Sequence, residues 1–189
     1  NLEEVAAAMR VLEQSRAKEV ALLHCVSEYP APLGELNLRA MDTMRRAFGV
    51  PVGYSDHTVG IEAPIIAAAL GACIVEKHFT LDRCLKGPDH LASIEPNELG
   101  AMMRGMKAAS VSLGNGIKRP VSCEIPQIPL IRKSIVAVTD LPRGTRLTEK
   151  NITFKRPLNG IEPFDLDKVL DKELRVSVKQ DQPITWDII

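Results

Sequence analysis

The stretch VPVGYSDHTVGIEAPIIAAALGACIVEKHFT, residues 50–80, decides the fold of this chain. Residues 50–56 and 72–80 are apolar runs of strand length, and residues 61–70 between them are predicted as a helix. Fully apolar strands that alternate with helices through short connections are typical of a parallel sheet covered by helices. The stretch therefore predicts a strand, a helix and a second strand of an α/β domain.

The same alternation continues on both sides of this stretch. Before it come a helix face at residues 2–12, an apolar strand at residues 19–27 and an amphipathic helix at residues 37–48. After it come a loop and a helix from about residue 95 to residue 113. The sequence therefore predicts three strands in a first domain, and a closed barrel and a doubly wound sheet are the two candidate architectures.

The composition and hydrophobic pattern of the sequence change after residue 114. Two glycine-containing turns and three prolines predict a linker at residues 115–131, between a first domain at 1–114 and a second at 132–189. In the second domain, four short β-branched runs are separated by turns: SIVAVTD, NITFKRP, LRVSVKQD and PITWDII. These runs predict a small, mostly β domain.

Composition and charge narrow the class of protein. The 24 basic and 24 acidic side chains cancel, so no basic surface indicates a nucleic-acid or anionic-membrane partner. The longest apolar run ends at Glu76, well short of the roughly 20 residues that span a bilayer. The acidic first residues are not typical of a secretory signal. The four cysteines form no CxxC pair, so we expect small buried thiols in a cytoplasmic protein.

Polar side chains close all three predicted strands. Each strand end carries two of them, two residues apart: Ser27 and Tyr29, Ser55 and His57, and Glu76 and His78. Residues two apart share a face of a strand, and ligands of parallel α/β folds bind at the carboxyl ends of the strands. This alternation therefore allows the polar side chains of all three strand ends to line one shared pocket.

The histidines of this chain allow more than one interpretation. His57 and His78 could hold one divalent metal, but a strand-end histidine is more often a satisfied structural group. His24 lies deeper in its strand, on the opposite parity, and is predicted to be a core histidine. His90 follows the tight turn at Asp89 and is either solvated or close to substrate; Asp89 itself forms an Asx turn or contacts a substrate hydroxyl.

Four ordered motifs carry a resemblance that covers almost the whole chain. LLHCVSEYP, GYSDHTVGIE, EKHFTLDRCLKGPDH and the run from IRKSIVAV to LPRGTRLTEKNITFKRPLNGIEP resemble the N-acetylneuraminate (sialic acid) synthase family. The resemblance implies a (β/α)8 TIM barrel followed by an antifreeze-like SAF domain of the β-clip type. A complete barrel takes about 250 residues, so the resemblance places this chain in the C-terminal part of the barrel plus the SAF domain.

The resemblance also implies a reaction and a metal. Family members condense phosphoenolpyruvate with the aldehyde of an N-acetylhexosamine and release phosphate. By this likeness His57 and His78 are metal ligands and catalytic residues. The implied metal is Mn²⁺, with Mg²⁺ or Co²⁺ as alternatives, and it would polarise the aldehyde and activate water.

Five further residues match substrate-binding positions of the family. By the resemblance Ser27 and Ser55 contact phosphoenolpyruvate, while Tyr29 and Asp89 hold the sugar. Arg156 matches an arginine that reaches into the barrel of a partner subunit, which implies a domain-swapped homodimer. From the residues alone, Arg156 could equally belong to a solvated edge of the second domain.

The sequence is also compatible with three alternative functions. The chain could be a non-catalytic fragment whose SAF domain binds carbohydrate or mediates dimerisation. It could be a spore-coat polysaccharide synthase that acts on a different sugar. A different metal-dependent aldol-type barrel enzyme is the weakest alternative, because it leaves the second domain unexplained.

Overall fold

Three parallel strands form the sheet in the first part of the chain. The computed structural model describes residues 1–15 and 17–189, which divide into two units, Asn1–Ile117 and Lys118–Ile189. In the first unit β1 (Leu22–Cys25), β2 (Val52–Asp56) and β3 (Val75–Lys77) pair in the order β1-β2-β3. The predicted parallel sheet is confirmed, although each strand is shorter than its apolar run.

Four helices accompany this sheet: α1 (Leu2–Glu13), α2 (Ala40–Phe48), α3 (Glu62–Ala69) and α4 (Pro96–Leu113). Their ends follow local sequence signals. Asn1 forms a capping box with Glu4 at the start of α1, and Gly49 ends α2 in the left-handed conformation at a φ of 66°. Among the described residues, none of these helices combines the length and hydropathy that crossing a bilayer requires.

The two faces of the sheet have different neighbours. Val52 and Tyr54 of β2 are fully buried against the core residues of α2 and α3. Gly53 and Ser55 belong to the opposite face by alternation along the strand. A Cβ atom at Gly53 would lie 2.4 Å from the carbonyl oxygen of Ile74, so this close approach requires glycine. Ser55 and His57 are two residues apart and share this opposite face. The predicted polar strand ends therefore lie on the face that α2 and α3 do not cover.

The second unit has less regular β structure than predicted. β4 (Ser134–Ala137) pairs antiparallel with β5 (Ile152–Lys155), and short helices α5 (Ile128–Ile131) and α6 (Leu166–Val169) flank them along the chain. The segment predicted as a linker thus contains helical turns. A separate hydrophobic core includes Ile135, Leu147, Val178 and Ile184.

The last two predicted strands of this unit do not form, and the predicted burial of the cysteines is also wrong. The runs at 174–181 and 183–189 are not strands: Val178 and Pro183 form single bridges, and the chain ends in a 3₁₀ turn. Asp181, the last residue of the first run, has a φ of 64°, and this left-handed conformation does not continue a strand. The cysteines are not buried, since Cys25 is half-buried and the other three are exposed.

Candidate active site

His57, His78 and Tyr29 meet beyond the carboxyl ends of the strands. The Tyr29 hydroxyl oxygen lies 2.7 Å from Nε2 of His57 and 3.2 Å from Nε2 of His78. The two imidazole rings are nearly perpendicular, with centroids 5.6 Å apart. Both histidines therefore direct the same ring nitrogen towards one common atom.

Backbone contacts hold these three side chains in place. The Ala31 amide donates to the carbonyl of His57 at 3.0 Å, which ties the segment carrying Tyr29 to the end of β2. The Ile94 amide donates to the carbonyl of His78 at 2.9 Å. The Tyr29 ring also stacks on His57, at a centroid distance of 3.9 Å. The site is thus assembled from three strand ends and the loop before α4.

The tautomer of His57 follows from its second hydrogen bond. Nδ1 of His57 lies 2.9 Å from the carbonyl oxygen of Val26. Because a carbonyl only accepts, Nδ1 carries the proton and Nε2 presents its lone pair. Metal-binding histidines are oriented in this way by hydrogen bonds from their other nitrogen. The Cys25 sulfur lies 3.7 Å from the same Nδ1.

The pKa of the Tyr29 phenol lies above its ordinary value of 10. Desolvation raises the pKa of Tyr29, and the charges of Cys25, Asp89 and Glu76 raise it further. A phenol already keeps its proton at neutral pH with an ordinary pKa, so Tyr29 can donate a hydrogen bond there, although its side chain is exposed. Asp89 stands directly before the 3₁₀ turn His90–Ala92, where its carbonyl accepts from the Ser93 hydroxyl at 2.6 Å.

The remaining predicted residues have varied surroundings. The Ser55 hydroxyl donates to Oε1 of Glu76 at 2.7 Å, on the same face as the histidines. Ser27 is exposed in the segment after β1. Arg156 lies exposed immediately after β5, in the second unit.

The two other histidines make structural contacts. His24 is half-buried on the helix-covered face, and its Nε2 lies 2.7 Å from the carbonyl oxygen of Leu36. Nδ1 of His90 lies 2.7 Å from the Thr80 hydroxyl. His90 is therefore held in its loop.

Sequence reasoning missed a buried ion pair behind this site. Nζ of Lys77 lies 2.6 Å from Oδ2 of Asp56, and their side chains are 2% and 0% exposed. Burial and a hydrogen bond to Asp56 raise the pKa of the Tyr54 phenol. A signal was available: Ser55-Asp56-His57 and Glu76-Lys77-His78 align as triplets on neighbouring strands, with opposite charges in the middle position.

The donor set fits a metal with two protein ligands. Within residues 1–15 and 17–189, no group of three or more His, Cys, Asp and Glu side chains could hold a metal ion. His57 and His78 instead supply two imidazole nitrogens aimed at one point. Such a pair suits a divalent transition metal whose other positions are left to water and substrate oxygens.

Comparison with known proteins places these residues in a family context. Residues 1–118 match the NeuB family and residues 132–189 match the SAF domain. The N,N'-diacetyllegionaminic acid synthase of Campylobacter jejuni is 45% identical over 186 residues, which cover 97% of this chain and 56% of that protein. Human N-acetylneuraminate-9-phosphate synthase is 36% identical over 170 residues, which cover 88% of this chain and 47% of the human protein.

A solved structure shows a similar likeness. The N-acetylneuraminic acid synthetase of Leptospira borgpetersenii, in complex with citrate, is 38% identical with a TM-score of 0.61. The match covers 68% of this chain and 45% of that one. This chain spans about half the length of the curated relatives it matches.

Proposed function

The chain belongs to the NeuB family and carries a SAF domain, and from this membership we propose that the full-length protein is a nonulosonic acid synthase. Its relatives include synthases of sialic and legionaminic acids. The proposed reaction joins the methylene carbon of phosphoenolpyruvate to the aldehyde carbon of an N-acetylhexosamine. Water adds at the neighbouring carbon and inorganic phosphate leaves. The three strands of the first unit would then belong to a (β/α)8 barrel.

The convergence of two imidazole nitrogens on one atom is the observation that carries this proposal. A divalent metal, Mn²⁺ in our proposal with Mg²⁺ or Co²⁺ as alternatives, would supply Lewis-acid polarisation of the aldehyde and activation of water when bound by His57 and His78. The Val26 carbonyl keeps the proton on Nδ1 of His57 and so leaves Nε2 free for this task.

The surrounding side chains would orient the substrates. The neutral Tyr29 phenol can donate to a sugar oxygen, and the Asp89 carboxylate can accept from a sugar hydroxyl. Ser27 and Ser55 would donate hydroxyl protons to the carboxylate or phosphate of phosphoenolpyruvate. Ser55 would have to leave its present acceptor, Glu76, to do so.

Phosphate release tests the proposed reaction directly. The full-length protein is incubated with phosphoenolpyruvate, Mn²⁺ and a panel of N-acetylated hexoses. We expect sugar-dependent release that ceases with a chelator and in His57→Ala and His78→Ala. His24→Asn, which removes an imidazole from the opposite face, is the matched control and should retain activity. Wild-type turnover in either alanine variant after chelation would refute the metal role, and no release with any sugar would favour a binding module.

A dimer is the second part of the proposal. Arg156 would reach the barrel of a partner subunit, as the family resemblance implies. Mixing inactive His57→Ala and Arg156→Ala subunits would then create one intact site in each heterodimer, and activity should return. Mixed dimers that stay inactive would show that Arg156 does not serve the partner.

A further inference from the structure

We propose that the buried Asp56–Lys77 ion pair is a positioning element that holds both metal-binding histidines in a common geometry. The inference rests on the proposed function, because it concerns the metal site. Asp56 directly precedes His57, and Lys77 directly precedes His78. Asp56 and Lys77 are also Cα partners in the register of β2 and β3. One ion pair therefore links β2 and β3 at the residue immediately before each histidine.

Hydrogen bonds extend this link past His57. Besides its bond to Asp56, Nζ of Lys77 donates to the carbonyl of Thr58 at 2.7 Å. The Thr58 amide donates to Oδ1 of Asp56 at 3.0 Å, and its hydroxyl donates to Oδ2 at 3.1 Å. The residues on both sides of His57 are thus bound to the side chain that precedes His78.

The pair acts through the backbone and not on substrate. By alternation, Asp56 and Lys77 point to the helix-covered face, whereas His57 and His78 point to the site. The Tyr54 hydroxyl closes the network with a 2.9 Å bond to Oδ1 of Asp56. In the part of the chain that the structure describes, no buried side-chain nitrogen or oxygen lacks a partner. The network is complete, which is the condition for a buried polar group to fix one geometry.

Stability alone does not account for this arrangement. Buried ion pairs are often no more stabilising than apolar side chains of the same volume, because desolvation offsets their attraction. Groups behind metal ligands orient those ligands, and their loss commonly lowers metal affinity about 10- to 100-fold. The position of the pair beside both histidines matches this second role.

Mn²⁺ binding to the full-length protein separates positioning from mere stability. The probe is Mn²⁺ alone, with the free ion measured by electron paramagnetic resonance at a temperature where all variants are folded. The double variant Asp56→Asn/Lys77→Met removes both charges together and is expected to bind Mn²⁺ roughly 10- to 100-fold more weakly. Met41→Ala, a core truncation in α2 on the same sheet face, is the matched control. We expect it to lower the melting temperature and to keep wild-type Mn²⁺ affinity.

A milder variant guards against failure of the double variant to fold. Thr58→Val keeps the side-chain volume but removes the hydroxyl that binds Asp56, so a smaller loss of affinity in the same direction is expected. Wild-type Mn²⁺ affinity in every folded variant of the network would overturn the inference while leaving the proposed function intact. If neither the wild type nor Met41→Ala binds Mn²⁺, the metal site and the positioning role fall together.

Discussion

Replacing Lys77 by methionine isolates the energy of the buried ion pair. The substitution keeps an unbranched side chain of similar length and removes the ammonium that lies 2.6 Å from Asp56. At an effective dielectric constant of about 20, two unit charges at this distance attract by about 6 kcal/mol. Lys77 no longer has to be desolvated in the variant, so the net loss is smaller. Breaking one side of a buried pair costs about 3–5 kcal/mol, and we expect Lys77→Met to lose that much unfolding free energy.

The second substitution supplies the decisive comparison. Asp56→Asn in the Lys77→Met background removes the unpaired carboxylate but keeps an oxygen acceptor for the Tyr54 hydroxyl and the Thr58 amide. We therefore expect the double variant to return to within roughly 1–2 kcal/mol of the wild type. The pair would then show a large coupling energy in a double-mutant cycle, since the two sites are in contact.

Urea unfolding provides the measurement. Far-UV circular dichroism follows the loss of helix, and fluorescence of Trp186, the only tryptophan of this chain, reports on the second unit. The circular dichroism transition should move for Lys77→Met, with the change originating in the first unit. A loss below about 1 kcal/mol would contradict the reasoning, as would a double variant that is as unstable as the single one.

Three further predictions follow from local geometry. Tyr29→Phe removes the hydroxyl that occupies both Nε2 atoms, so Mn²⁺ affinity measured by calorimetry should rise roughly 2- to 10-fold, the worth of one hydrogen bond; unchanged affinity would contradict competition. Gly53→Ala places a Cβ atom 2.4 Å from the Ile74 carbonyl oxygen, so the free energy of unfolding measured in urea should fall by about 1–3 kcal/mol. An unchanged free energy of unfolding would mean that the backbone at Ile74 can move away from Gly53 without cost. Hydrogen bonding to Arg83 lowers the pKa of Glu98 below its ordinary value of 4.5, so this carboxylate stabilises the fold at pH values above about 4.5 and ceases to do so as pH falls through its folded pKa. Glu98→Gln should therefore lose about 1 kcal/mol or less at neutral pH, and its difference from the wild type should vanish in acid.

Periodicity predicted the first unit better than the second. The alternation of apolar strands and helices around residues 50–80 identified all three strands and their parallel pairing, because continuous apolar runs joined through helices are typical of parallel sheets. In the second unit, the β-branched runs at 174–181 and 183–189 predicted strands that do not form. The tertiary context overrode local propensity there, and Asp181 at the end of the first run adopts a left-handed turn.

Membership of the NeuB family and the parity of the strand ends are what the sequence by itself determined, since both depend only on residue order. Only the tertiary structure decided that Tyr29 stands between His57 and His78, because the loop that carries Tyr29 has no period from which its direction can be read. The same holds for the Asp56–Lys77 pair, because only the register of β2 and β3 brings these two charges, 21 residues apart in sequence, face to face and buries them.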